Sequence, residues 1–130
     1  MKETFATEQF RQVTRVRIGR GMEYLDKTSP SDWLFRVNLP RLKMSCCTRC
    51  VLGQLRGEYR QELLRVTGSL LGNGNWAERH GFTLPEDLLM EDDLWDIFTE
   101  EWRAAIEARR EEAAKETTTE ASLIPVGLPV

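Results

Sequence analysis

The stretch from Leu88 to Lys115 carries the strongest pattern in the chain. Placed at about 100° per residue, Leu94, Phe98, Trp102, Ala105 and Ile106 share one arc, with Trp95 at its edge. Asp92, Asp96, Glu100, Glu107 and Glu111 fill the opposite side. This spacing predicts a long amphipathic helix over 88–115, charged toward water and apolar toward a core. Such a helix takes most of its stability from whatever covers its apolar stripe, so the rest of the chain is read as that cover.

With 130 residues the chain suits one domain around one core. Ile18, Met22 and Leu25 recur at i, i+4 and i+7, which puts them on one helix face. Just upstream, RQVTRVRI (11–18) reads two ways. Val16 and Ile18 alternate with arginines as in a strand, while Phe10, Val13 and Arg17 fit a helical turn. Trp33 in SPSDWLFRV is expected inward on a helix of one or two turns, NLPRLKM (38–44) is another short turn, and Gly81 ends a short helix as its C-cap. No run is a convincing strand, so the expected fold class is all-α, a compact single domain. Its organisation reads as a basic N-terminal segment (1–17), a helical domain (18–116) and a C-terminal part (117–130). There ETTTEAS has linker composition and LIPVGLPV is an apolar tail containing proline.

The stretch SCCTRCVLGQLRGEY (45–59) predicts the start of a central helix over 46–66, with Ser45 as its cap. On that helix Cys46, Cys50, Gly53 and Gly57 form a stripe of small residues, opposite Val51, Leu52, Leu55, Tyr59, Leu63 and Val66. A glycine inside a helix costs about 1 kcal/mol relative to alanine, so the stripe is expected to admit the close approach of a neighbouring backbone. Arg49, Arg56 and Arg60 lie between the stripes, where they would meet the acidic last helix or face a partner.

The formal net charge of −3 hides a division. Residues 1–70 carry 13 Lys and Arg against 7 Asp and Glu, whereas residues 71–130 carry 5 against 14. The halves attract, and the simplest outcome is a basic half packed on an acidic one. Arg11, Arg15, Arg17 and Arg20 could touch phosphates, but they lack interleaved aromatics, and a pI near 5.3 argues against a nucleic-acid binder. No apolar run approaches the roughly 20 residues of a membrane span, and the first 30 residues lack a signal-peptide core. A cytoplasmic location is therefore expected.

Chemistry-bearing motifs are few. By count, Cys46, Cys47, Cys50 and His80 make a Cys3His zinc set, yet the three cysteines crowd one helical turn and a second ligand pair is missing. The CTRC motif would suit thiol–disulfide chemistry only in a βαβ setting, for which no strands are visible. Small apolar packing is the simpler reading of these cysteines. His80 reads as a helix-end residue, GNGN is a turn without a following lysine, and the acids of LLMEDDLWD open a helix, where its dipole favours them. No catalytic residue and no cofactor are expected.

The order of short motifs adds one signal: RGMEYLD (20–26), the DW turn, NLPRLKMS (38–45), CVLGQLRGEY (50–59), GF (81–82) and WRAAIEARR (102–110). In this order the chain resembles small, largely uncharacterised proteins of actinobacteria and their bacteriophages, over residues 18–112. The resemblance implies no reaction, cofactor or catalytic residue. The function expected is a small cytoplasmic interaction module, phage- or prophage-linked, acting by binding a bacterial protein or by forming a homodimer. The alternatives are a zinc- or thiol-dependent regulator centred on Cys46, Cys47 and Cys50, and nucleic-acid binding through the basic arm.

Overall fold

The apolar stripe of the last helix forms the spine of the core. In a computed structural model describing residues 5–57, 59–67 and 74–123, helix α6 spans Asp92–Leu123, and its Phe98, Trp102 and Ile106 are buried. Helix α1 (Phe5–Thr28) packs along it with Ile18, Met22 and Leu25, all buried. Short helices complete the cover: α2 (Trp33–Arg36), α3 (Val51–Arg56), α4 (Tyr59–Thr67) and α5 (Gly74–Arg79), with 3₁₀ turns at Leu39–Arg41 and Glu86–Leu88. Among the described residues there is no strand, so the fold is all-α, and no helix is long and apolar enough to cross a membrane.

Residues 11–18, readable as strand or helix, are helical and run without a break into residues 19–28. From Phe5 onward the basic N-terminal segment 1–17 and the beginning of the helical domain at 18 therefore belong to one element, α1. Its end matches the sequence: Pro30 cannot continue a helix, and the Ser29 N–H donates to the Leu25 carbonyl at 2.9 Å. Trp33 is buried as expected and donates its indole N–H to Asp26 Oδ1 at 2.9 Å.

Two boundaries of the long helix differ from expectation. It starts at Asp92 rather than 88, because residues 86–91 are held in tight turns by the Leu88 N–H to Pro85 O and Glu91 N–H to Leu88 O bonds. It ends at Leu123 rather than 115, so residues 117–123 continue the helix instead of forming a linker. Nothing in ETTTEAS forbids helix, and the first proline after it in the sequence is Pro125. Residues 124–130 of the apolar tail lie outside the described residues, as do 1–4, 58 and 68–73.

The central helix over 46–66 is instead two helices, α3 and α4, broken at Gly57, whose φ is +99°. Residues 46–49 form a turn, closed by Lys43 N–H to Arg49 O (3.2 Å) and Cys50 N–H to Cys46 O (2.9 Å). This turn lies across the break, and the Cys47 carbonyl accepts the Tyr59 N–H at 3.0 Å, satisfying a donor at the start of α4. Cys50, not Ser45, caps the first piece: its Sγ accepts from the Gly53 N–H at 3.3 Å.

The glycines sort accordingly. A Cβ on Gly53 would sit 2.2 Å from the Cys47 carbonyl oxygen, so the close approach is made by the chain's own turn rather than by a neighbouring helix. Gly57 has open space around it and serves through its positive φ as a helix C-cap. Cys46 lies outside α3, Cys50 caps its start and Gly57 its end, so the four small residues do not share one helix stripe. Helix-to-backbone contact occurs elsewhere. A Cβ on Gly21 of α1 would lie 2.2 Å from the His80 carbonyl oxygen, and one on Gly81 (φ +71°) would lie 2.8 Å from Arg17 C and Ile18 N. Gly81 is thus the expected C-cap and also the point where the end of α5 touches α1.

Candidate functional site

The cysteine turn is built for shape, with one thiol set apart. Cys50 is buried, and desolvation pushes its thiol up to about 11. Cys46 is half-buried with Sγ 3.5 Å from the Thr48 hydroxyl. That hydroxyl first, then the Thr48 and Arg49 backbone N–H groups and the Arg49 charge, lower its thiol below the ordinary value against a weaker effect of burial. Cys47 is half-buried and gives its carbonyl to Tyr59. The cysteines do not meet His80. Its ring stacks on Trp76 at 4.4 Å, and its Nδ1 lies 2.8 Å from the Trp76 carbonyl. A carbonyl only accepts, so Nδ1 carries the hydrogen. Trp76 also meets Tyr24 edge-on at 5.1 Å, and Phe82 stacks on Trp102 at 5.8 Å, making His80 part of an aromatic wall of the core. Among the described residues no three His, Cys, Asp or Glu side chains converge to hold a metal ion.

The basic and acidic halves pair inside the molecule. Arg11 and Arg15 on α1 both donate to Glu101 on α6 at 2.7 Å, and Glu101 is only 7% exposed. Burial alone would raise the Glu101 carboxyl, but the hydrogen bonds from Arg15 and Arg11, with their charges, outweigh it and hold the carboxyl below its ordinary value. Arg11 also reaches Glu100, Arg17 pairs with Glu78 at 3.3 Å, and Arg109 pairs with Asp26. Three of the four arginines that could have touched phosphates are therefore held by carboxylates of the C-terminal half.

The flank of Arg49, Arg56 and Arg60 is divided. Arg56 bonds the Thr28 carbonyl (3.0 Å) and the Ser29 hydroxyl (2.6 Å), and its Nε lies 3.0 Å from the buried Glu62. It ties the end of α1 to the α3–α4 break and is no free surface cation. Arg49 is exposed, and the side chain of Arg60 lies outside the described residues.

Sequence reasoning passed over a different surface, just before α6. Leu89 is 41% and Met90 90% exposed, at the outer edge of a turn whose Leu89 carbonyl accepts the Trp95 indole N–H at 2.8 Å. Glu86, Asp87, Glu91, Asp92 and Asp93 flank this knob in sequence, all exposed, and residues 86–96 contain no Lys or Arg. The available signal was the pair of apolar residues between acids, out of step with the stripe of α6. No protein-family model, no curated protein and no solved structure matches the chain.

Proposed function

We propose that the protein is a small cytoplasmic interaction module, phage- or prophage-linked, that anchors a bacterial protein on the Leu89–Met90 knob. The phage and bacterial setting rests on the order of motifs from RGMEYLD to WRAAIEARR. The observation that carries the reading is Met90, a long apolar side chain 90% exposed on a hydrogen-bonded turn. Burying such a side chain gains about 1.5–3 kcal/mol, which a partner pocket would supply. A turn already fixed loses little further entropy on docking. The acids that flank it select a pocket rimmed by Lys or Arg, which speeds association and rejects acidic partners. A two-fold dimer through the knob would bring two copies of these acids together, so the partner is a different protein. Zinc or thiol regulation and nucleic-acid binding have less geometric support, given the separation of His80 from the cysteines and the ion pairs of Arg11, Arg15 and Arg17.

The test is a photoreactive side chain at position 89, compared with one at the exposed Gln12 on α1, in an actinobacterial host. One discrete adduct with another protein is expected from position 89 alone, and Met90→Glu should abolish it. Equal labelling from both positions, or an adduct indifferent to Met90→Glu, would sink the proposal.

A further inference from the structure

Apart from the Leu89–Met90 knob, the structure offers a second candidate site. Between the loop 38–50 and α6 lies an open cavity of about 540 Å³ lined by Arg41, Lys43, Arg49 and Arg103 against Asp96 and Glu100. Glu100 is engaged by Arg11 at 3.2 Å, leaving Asp96 as the one lining carboxylate with no ion pair among the described residues. Four cations thus face one uncommitted acid, in a chain whose net charge is −3. A concave wall with an excess of cations concentrates a positive field inward and attracts anions.

The loop that presents these cations is held in place by other side chains. Arg103 donates to the Leu39 and Leu42 carbonyls at 3.4 Å. Gln54 donates to the Asn38 and Arg49 carbonyls and accepts from the Asn38 N–H, while the Thr99 hydroxyl accepts the Met44 N–H at 3.0 Å. The loop backbone is therefore positioned from α3 and α6. Among the described residues, the heads of Arg41, Lys43 and Arg49 reach no carboxylate. Like-charged heads around one concavity repel each other, and a shared oxyanion relieves that repulsion with charge-assisted hydrogen bonds. The volume falls in the usual range for small-molecule sites.

We infer that this cavity binds a small molecule through a phosphate-like oxyanion held by Arg41, Lys43 and Arg49. Asp96 and the acidic 86–93 surface that precedes it on the chain repel a continuing polyanion, so the ligand is compact rather than a nucleic-acid strand. This site is independent of the Leu89–Met90 knob.

The probe is inorganic phosphate, titrated at low ionic strength into the ¹⁵N-labelled full chain, with chloride at matched ionic strength as control. Saturable shifts are expected at the amides of residues 41–43 and 49, with a dissociation constant on the order of 1 mM. Lys43→Ala and Arg49→Ala should each weaken binding about tenfold, as the loss of one charge-assisted bond implies. Arg20→Ala, an exposed cation elsewhere, should leave it unchanged. Asp96→Asn should tighten binding severalfold, a gain that misfolding cannot mimic. Shifts that chloride reproduces, that fail to saturate, or that survive in the Lys43→Ala/Arg49→Ala double variant overturn the site. Weaker phosphate binding by Asp96→Asn would do the same. A single-stranded oligonucleotide that displaces phosphate at lower concentration than a free nucleotide overturns the choice of a compact ligand.

Discussion

Gly19 and Gly21 lie two residues apart in α1, yet alanine should act on them with opposite sign. At both sites the helix gains about 1 kcal/mol of intrinsic propensity when glycine becomes alanine. A Cβ on Gly19 meets nothing within 4 Å, so most of that gain survives and Gly19→Ala should stabilise by about 0.5–1 kcal/mol. At Gly21 the new Cβ falls 2.2 Å from the His80 carbonyl oxygen and 3.2 Å from the rings of Phe82 and Trp102. The first of these is backbone and cannot swing away. Overpacking of this kind costs about 1–3 kcal/mol, here at its upper end. Moving the 80–81 turn also strains the Trp102 indole bond to the Gly81 carbonyl, worth about 1 kcal/mol. Net of the propensity gain, Gly21→Ala should destabilise by about 2–3 kcal/mol. Urea denaturation of both variants measures this directly. The midpoints should move in opposite directions, the Gly21→Ala melting temperature falling by roughly 3–4 °C per kcal/mol. If Gly21→Ala matches Gly19→Ala, α1 does not touch the end of α5 in the way the Gly21–His80 approach requires.

Glu101→Gln should destabilise by about 1–2 kcal/mol at neutral pH, below the value for a fully buried pair because the Arg15 head faces solvent. Since the folded-state carboxyl of Glu101 is held below its ordinary value, its contribution is complete above the unfolded pKa. It fades as pH falls through the folded value, so the gap between wild type and Glu101→Gln in denaturation midpoint should close in acid. For the thiols, timed alkylation of the native protein followed by peptide mass spectrometry should label Cys46 first and Cys50 last, since burial both hides Cys50 and raises its pKa to about 11. Cys50→Ala should cost about 1 kcal/mol through the lost cap, while Cys50→Ser keeps an acceptor for the Gly53 N–H and should cost less in the same denaturation assay.

The parts of the fold that were legible are those where periodicity acts alone. Ile18, Met22, Leu25, Phe98, Trp102 and Ile106 went to the core because a 3.6-residue repeat leaves them no other common direction. The α3–α4 break was hidden because the apolar stripe keeps its spacing through Gly57, while the interruption depends on the carbonyl of Cys47, well upstream of the helix it caps. For the glycines the general argument, that a missing side chain admits a backbone, applied to Gly53 but with the partner misjudged. It applied also to Gly21 and Gly81, where only the packing of α5 on α1 makes it visible. Charge separation along the sequence did foretell the Arg11, Arg15 and Glu101 cluster in kind, although which acid would receive both arginines depends on the register of two helices.

The pairing of α1 with α6 also sets a timetable for synthesis. Arg11 and Glu101 stand 90 residues apart in the sequence. At translation rates of about 5–20 residues per second, α1 waits roughly 5–18 s outside the ribosome before its main partner emerges. During that interval Ile18, Met22 and Leu25 have no α6 to cover them, and the arginines beside them have not yet met their carboxylates. Contacts of such long range also slow folding relative to a bundle closed by neighbouring helices. The nascent chain is therefore a basic, apolar segment in search of an acidic one, and holding chaperones have their opportunity in those seconds rather than after release.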